Sequence, residues 1–166
     1  MTQANNNKAI SNETSAVARF CELRSSVIDL FADAEIKITD YVLTHAAKPN
    51  VATHPLNQKI NHALKVPAGP QRSKAIKANA DVELKIVQEL LPDRAAIVHS
   101  RMSIAKCVSG EFVAIFKNAK DVVGGSNNAL VYNEIELTNF LDRLKKTIIN
   151  LEAALLAKNN PQQAAQ

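Results

Sequence analysis

Two long segments, one near each end of the chain, repeat apolar residues at helical spacing, and this repetition constrains the fold most. In the last segment the apolar positions advance in steps of four and three, at Leu137, Leu141, Leu144, Ile148, Leu151 and Leu155. In the first they recur at Val17, Phe20, Leu23, Val27, Leu30, Phe31, Ala34, Ile38 and Tyr41. Such spacing places all members of a set on one face of an α-helix. The sequence therefore predicts two long helices, over about 11–45 and 134–157, that each bury one face.

Three shorter helices are predicted between these two. One follows Pro55 and runs to about Leu64, because proline suits a first helical turn. The next runs from about Ser73 to Leu91, where Pro92 ends or kinks it. The last begins with Asp93 as its cap and continues to about Val108, closed by Gly110. Their predicted core residues are Leu56, Ile60, Leu64, Ile76, Val82, Ile86, Leu90, Ile97, Val98, Met102, Ile104 and Ala105.

Strand-forming residues appear only after these helices. The segments 112–116 and 129–132 are rich in aromatic and β-branched residues, and the glycine- and asparagine-rich stretch 124–128 lies between them. This pattern is typical of a β-hairpin. The predicted fold class is all-α: a compact bundle of about five helices with a small β-hairpin before the last helix. The domain is expected over 11–158, with disordered tails at 1–10 and 159–166.

Composition excludes several classes of protein and site. The chain contains no tryptophan and only seven aromatic residues, which argues against base stacking on aromatic platforms. Cys21 and Cys107 lack paired spacing and are expected as small core or interface residues of helices. No secretory signal pattern and no membrane-spanning apolar run is visible, so we expect a cytoplasmic protein without a membrane partner. The histidines at 45, 54 and 62 match no common metal spacing, so no metal or cofactor is expected.

The positive charge of the chain is concentrated in its middle. Residues 45–106 contain ten Lys or Arg and four Asp or Glu, whereas the net charge of the whole chain is +4. No acidic residue occurs between Tyr41 and Ala80. A one-sided basic segment suits a polyanion-binding face, with Lys59, Lys65 and Lys74 as candidate contacts to RNA phosphates. The alternative, solvated surface lysines, stays open at this point.

One short stretch combines residue types that suit chemistry at phosphate. It reads Asp-Arg-Ala-Ala-Ile-Val-His-Ser-Arg-Met over 93–102. An Arg followed four to six residues later by a His, with an apolar pair before the His, resembles the signature of HEPN domains. The resemblance extends over about 13–157, through the segment Phe31–Glu35 of the first helix, the hairpin and the last helix.

The resemblance implies a function and a mechanism. Active HEPN proteins are homodimeric endoribonucleases that use no metal and belong to toxin or antiviral-defence systems, in which an antitoxin or another defence protein is a further partner. A ribose 2′-hydroxyl attacks the neighbouring phosphate in a cleft at the dimer interface. Carried over to this chain, Arg94 binds the phosphate, His99 is the general acid or base, and Glu35 is an accessory acid. These residue types suit those roles.

Helix geometry adds a reason to expect two copies. Positions 94 and 99 lie about 140° apart around a regular helix, so one helix does not aim both at one point. The small residues Ala95, Ala96 and Ser103 share the predicted face of His99 and leave room for a second copy. Arg101 lies nearly two turns from Arg94 and is a second candidate for phosphate binding.

The sequence departs from the family pattern at Ala95, where active members usually carry a polar residue. Two further hypotheses therefore stay open. The chain could be a non-catalytic HEPN-like dimer that binds RNA, a nucleotide or a partner protein. It could also be a subunit whose basic middle docks onto a larger enzyme.

Overall fold

The computed structural model describes residues 2–46, 48–117 and 129–158, with side chains from Asn12 onward. The described part is mostly helical and contains a small sheet. Its α-helices are α1 (Thr2–Ala46), α2 (Leu56–Leu64), α3 (Lys74–Glu89), α4 (Leu91–His99) and α5 (Glu134–Leu156), with a short 3₁₀ helix at Pro49–Thr53. Its strands are β1 (Arg101–Lys106), β2 (Phe112–Lys117) and β3 (Leu130–Asn133). The mainly helical fold is confirmed, but the sheet has one strand more than the predicted hairpin.

The chain forms two compact units, and both long helices contribute to each of them. The first unit comprises Met1–Asp29 and Pro92–Arg143, and the second comprises Leu30–Leu91 and Leu144–Gln166. The predicted extent of the domain, 11–158, stays a prediction. The predicted tail 159–166 lies outside the described residues.

The apolar faces of α1 and α5 are buried, as their spacing predicts. All six members of the α5 series are buried, and in α1 only Val17 is exposed while Leu30 is half-buried. Helix α1 begins at Thr2, so most of the predicted N-terminal tail 1–10 lies within it. No helix of the described residues combines the length and apolarity needed to cross a membrane.

Helix α3 begins close to its predicted start at Ser73, which is the cap residue of the helix. The Oγ of Ser73 accepts a hydrogen bond from the Ile76 amide at 3.3 Å, which satisfies one of the donors left over at a helix start. The buried position predicted for Val82 is wrong, because Val82 is 55% exposed. Pro92 lies in the first turn of α4, where its missing N–H removes no helical hydrogen bond. Asp93 also lies inside that turn and is not the cap residue before it.

The predicted continuation of α4 to Val108 is wrong, because the helix ends at His99 and strand β1 follows. Met102 and Ile104 are half-buried while Arg101, Ser103 and Ala105 are exposed, which is the two-residue period of a strand. Gly110 has a φ of +92°, and its amide donates to the Cys107 carbonyl at 2.9 Å. It therefore closes the turn between β1 and β2 instead of ending a helix.

The three strands form one antiparallel sheet in the order β1-β2-β3. The pairing of β2 with β3 confirms the predicted hairpin, whose tip at 124–128 lies outside the described residues. Helix α5 then starts with a reciprocal cap: Asn133 Oδ1 accepts from the Glu136 amide at 2.8 Å, and Glu136 Oε2 accepts from the Asn133 amide at 2.9 Å. Both cysteines are exposed, Cys21 on α1 and Cys107 in the β1–β2 turn, so neither is a core residue and Cys107 is not on a helix. Their predicted place in an interface stays a prediction.

Candidate functional site

Helix α4 carries both residues of the candidate catalytic pair. Pro92, Ala95 and His99 are its exposed residues, and their spacing of three and four places them along one stripe facing solvent. Arg94 is half-buried and lies about 140° around the helix from His99. One copy of α4 therefore presents His99 to solvent on a face of small residues, and Arg94 on another side.

The C-terminal end of α4 is held by an arginine of α1. The Arg24 side chain donates to the carbonyl oxygens of Ile97 at 3.0 Å, Val98 at 3.3 Å and Ser100 at 2.9 Å. The last carbonyls of a helix have no partner within the helix and carry partial negative charge, so a guanidinium suits them. The backbone of His99 is therefore fixed while its side chain stays exposed.

Asp93, in the first turn of α4, interacts electrostatically with Tyr132 of β3 and Arg143 of α5. Burial raises the pKa of Asp93, and the positive charge of Arg143 partly offsets this rise. Burial also raises the pKa of Tyr132 to about 12, and the charges of Asp93 and Glu136 add to the effect. The tyrosine ring packs between Phe116 and Phe140, with centroid distances of 6.4 and 6.1 Å. These ring contacts and the partial burial of the side chain give Tyr132 a packing role.

Arg101 belongs to the same unit as Arg94 and His99, but on a different element. It is the first residue of β1 and is exposed. The predicted helical stripe joining Arg94 to Arg101 is wrong, because the helix ends between them. Ser103 also lies on β1, so the small-residue face of His99 consists of Pro92 and Ala95, with Ala96 half-buried beside it.

The basic segment of the second unit divides into inward-facing and outward-facing cations. Lys59 is 4% exposed and its Nζ lies 2.7 Å from Glu35 Oε1. Arg72 is also 4% exposed, and Lys77 is buried with its ammonium bonded to Asp81 and to the Leu64 carbonyl. Lys65 and Lys74 are exposed. Two of the three lysines assigned to RNA are thus accessible, whereas the charge of Lys59 is directed to a carboxylate inside the unit.

Glu35 was assigned a role as accessory acid next to the catalytic pair. The structure places it half-buried on α1 within the second unit, where it binds Lys59. Arg94, His99 and Arg101 all belong to the first unit. Within its unit, Glu35 neutralises the buried Lys59, and its role as an accessory acid stays a prediction.

Two of the remaining histidines form a pair that their sequence spacing did not suggest. Nδ1 of His54 lies 3.2 Å from Nε2 of His62, so one ring donates a hydrogen bond and the other accepts it. The pKa of His62 is lowered by burial first and then by the nearby charges of Lys48, His54 and Lys65. Within the described ranges, no group of three or more His, Cys, Asp or Glu side chains is arranged to hold a metal ion.

Arg24 is the residue of this site that sequence reasoning missed. It follows Phe20 by four positions and precedes Val27 by three, so it lies at the edge of the buried stripe of α1. An arginine at such a flank is a candidate to reach carbonyl oxygens of a neighbouring element. Its partners lie more than 70 residues further along the chain, and no local pattern identifies them.

Comparison of the chain with protein-family models, with curated proteins and with solved structures finds no match. The functional proposal is therefore based on the geometry of Arg94 and His99 and on the resemblance of their motif to HEPN domains.

Proposed function

We propose that this protein is a metal-independent endoribonuclease of the HEPN type that acts as a homodimer. The observation that carries the proposal is the placement of His99. It is exposed at the end of α4, its neighbouring carbonyls are bound by Arg24, and Arg94 lies on the same helix. An accessible histidine on a fixed backbone suits proton transfer, because an imidazole can both accept and donate a proton.

The proposed reaction uses the RNA itself as nucleophile. His99 takes the proton of a ribose 2′-hydroxyl, whose oxygen forms a bond to the adjacent phosphorus. The bond from phosphorus to the 5′-oxygen breaks, and that oxygen takes a proton from a general acid. Arg94 binds the phosphate oxygens, on which negative charge gathers as the reaction proceeds. The products carry a 2′,3′-cyclic phosphate and a 5′-hydroxyl.

A second copy of the chain supplies what one α4 helix does not. The exposed stripe of α4 consists of Pro92, Ala95 and His99. The side chains of Pro92 and Ala95 are small, so a second helix can approach this stripe closely. Two such stripes meeting across a two-fold axis bring two His99 rings into one cleft. One imidazole then acts as base and the other as acid, and an arginine from each copy faces the phosphate. We propose Pro92–Ser103 as the segment that contains this interface.

The exposed cations Arg101, Lys65 and Lys74 are proposed to bind further RNA phosphates. Each is accessible and none takes part in an ion pair of the described residues. Contacts of this kind position the RNA without reading its sequence. An association with a toxin or antiviral-defence system and a restraining partner protein follow from the resemblance alone and belong to this proposal. The cytoplasmic location, expected from the sequence, is part of the proposal as well.

The competing function is that of a non-catalytic HEPN-like dimer that binds RNA or a protein partner. The observation that favours it is Ala95, which is exposed beside His99 where active members of the family carry a polar side chain. This alternative keeps the dimer and the basic surface and removes the chemistry.

The two functions are separated by incubating the purified protein with a defined single-stranded RNA in EDTA. The endoribonuclease proposal expects fragments with 2′,3′-cyclic phosphate ends, lost in Arg94→Ala. RNA that is retained by the protein but stays intact at long incubation would overturn catalysis and support the binding alternative.

A further inference from the structure

The second unit contains a cavity of about 420 Å³ that the proposed ribonuclease mechanism does not use. Its wall is formed by one side of α1, by the segment Gln71–Arg72 and by the last residues of α5 with Ala157 and Lys158. This volume lies in the range of pockets that hold metabolite-sized molecules. Ile36, Leu155 and Leu156 give part of the wall an apolar character.

Arg72 is the unusual residue of this cavity. Its Nη2 donates to the Ala154 carbonyl at 2.9 Å, and its guanidinium carbon lies 4.6 Å from the centre of the Tyr41 ring. Nε and Nη1 are buried and have no hydrogen-bond partner among the described residues. Three of the five N–H groups of this buried arginine, those of Nε and Nη1, therefore lack an acceptor among the described residues. A buried cation whose donors stay without acceptors is unfavourable, so an oxygen-rich occupant would stabilise this arrangement.

Lys158 adds a second positive charge to the lining that contains Arg72. The pKa of His45, also in the lining, is lowered by burial first and then by the positive charges of Arg72 and Lys158, which favours the neutral imidazole. The Tyr41 hydroxyl is buried at the same wall next to Arg72: burial raises its pKa, and the charge of the Arg72 guanidinium and a hydrogen bond to it partly offset that rise.

The acids of the lining do not neutralise Arg72 by direct contact. Asp33 and Glu152 both bind Lys37, with oxygen-to-nitrogen distances of 3.2 Å in each case. Asp40 is exposed and forms no ion pair within the described residues. The lining therefore contains two carboxylates paired with Lys37, the carboxylate of Asp40, and the guanidinium of Arg72.

We propose that this cavity binds a small organic oxyanion, a phosphate monoester or a carboxylate, whose oxygen atoms accept hydrogen bonds from Arg72 and Tyr41. The planar guanidinium matches the geometry of both anions and forms short charge-assisted hydrogen bonds with them. The aliphatic part of the ligand lies against Leu155 and Ile36. This binding site goes beyond the ribonuclease proposal and is independent of it.

The probes are inorganic phosphate, monobutyl phosphate and butyrate, with chloride at equal ionic strength as reference. The readout is the NMR signal of the Nε–H group of Arg72, one of six arginines in the chain. We expect a saturable shift of this signal with an oxyanion and none with chloride. Monobutyl phosphate should bind at least about tenfold tighter than inorganic phosphate, because each buried methylene contributes about fourfold. Whichever of monobutyl phosphate and butyrate binds with the higher affinity identifies the preferred anionic group, phosphate or carboxylate.

Variants distinguish a built site from general attraction to positive charge. Arg72→Lys should weaken binding by about tenfold or more, since an ammonium group lacks the planar pair of N–H donors with which a guanidinium binds two oxygen atoms at once. Lys158→Gln, at an exposed position, keeps the test decisive if Arg72→Lys fails to fold, and should weaken binding by about threefold. Arg19→Lys, in the first unit, is the matched control and should leave affinity unchanged. A folded protein whose Arg72 signal responds equally to chloride, or an unchanged affinity in both pocket variants, would overturn the proposal.

Discussion

Arg24 binds the carbonyl oxygens of the two residues that flank His99, Val98 at 3.3 Å and Ser100 at 2.9 Å. The candidate proton-transfer residue is thus exposed in its side chain and fixed in its backbone. Arg24, a residue of α1 with no predicted role in chemistry, therefore holds the backbone from which the imidazole extends.

The first prediction concerns this contact. Arg24→Gln should lower the free energy of unfolding by about 1.5–3 kcal/mol, because hydrogen bonds from a charged donor to part-buried carbonyls are lost. RNA cleavage should fall further than the unfolded fraction explains, since His99 loses its fixed backbone. Urea unfolding and the cleavage rate measure the two effects.

The matched control is Arg19→Gln on the same helix. Arg19 is bound to Glu22 and Glu134 at the surface, so its loss should change stability little and leave the cleavage rate intact. Equal effects of the two substitutions would show that the Arg24 contact has no special role.

The second prediction separates surface lysines from the buried one. Lys65→Gln with Lys74→Gln should reduce the slope of RNA affinity against salt concentration by about 1.4, since each phosphate contact on a single strand contributes about 0.7. Lys59→Gln should leave that slope unchanged and instead lower the free energy of unfolding by about 1–3 kcal/mol, because Glu35 loses its buried partner. Fluorescence anisotropy at several salt concentrations measures the slopes. A smaller slope in Lys59→Gln would contradict the structural role of that residue.

The third prediction is a loss of stability in alkali. The pKa of Tyr132 is raised from 10.0 to about 12 in the folded protein. The folded state therefore keeps a proton that the unfolded state releases, so this contribution to stability is complete below pH 10 and is lost as the pH rises toward about 12. Tyr132→Phe should lose less stability than the wild type between pH 9 and pH 11, as measured by urea unfolding at each pH. Lysines titrate in both proteins, so an identical loss in the two would contradict the prediction.

The long helices could be predicted from sequence because their information is local. The stripes of α1 and α5, the Ser73 cap and the Asn133–Glu136 cap region each depend on spacing within a few residues. The end of α4 could not be predicted in this way. Met102, Ile104 and Ala105 fit a helix as well as a strand, and the decision is made by pairing with β2, whose residues are found only after the β1–β2 turn.

The distribution of charge along the sequence predicted the exposed basic surface only in part. The stretch from Tyr41 to Ala80 contains no acid, yet Glu35 and Asp81, just outside it, bind Lys59 and Lys77. The exposed Lys65 and Lys74 agree with the predicted basic surface, whereas Arg72 is buried at a cavity. Arg24 binds carbonyl groups more than 70 residues away along the chain. The spacing of residues within one segment carries no information about such a distant contact.

The fourth prediction concerns the departure from the family pattern. Ala95→Asn should raise the cleavage rate, because it places a polar group beside His99 where active members carry one. Ala95 is exposed, so the substitution should cost only about 0.5 kcal/mol in helix propensity. Single-turnover cleavage of a labelled RNA measures the change, with Ala96→Asn on the half-buried side of α4 as control. A rate that stays the same or falls would remove Ala95 as the residue that limits catalysis.

The most direct measurement of the central claim is cleavage of a defined RNA in EDTA by wild type, His99→Ala and His62→Ala, with sedimentation of each protein at micromolar concentration. The account predicts that all three sediment as dimers, that wild type and His62→Ala cut at the same rate, and that His99→Ala loses about two orders of magnitude or more. Cleavage that survives His99→Ala, or a wild type that sediments as a monomer while it cuts RNA, would contradict the account.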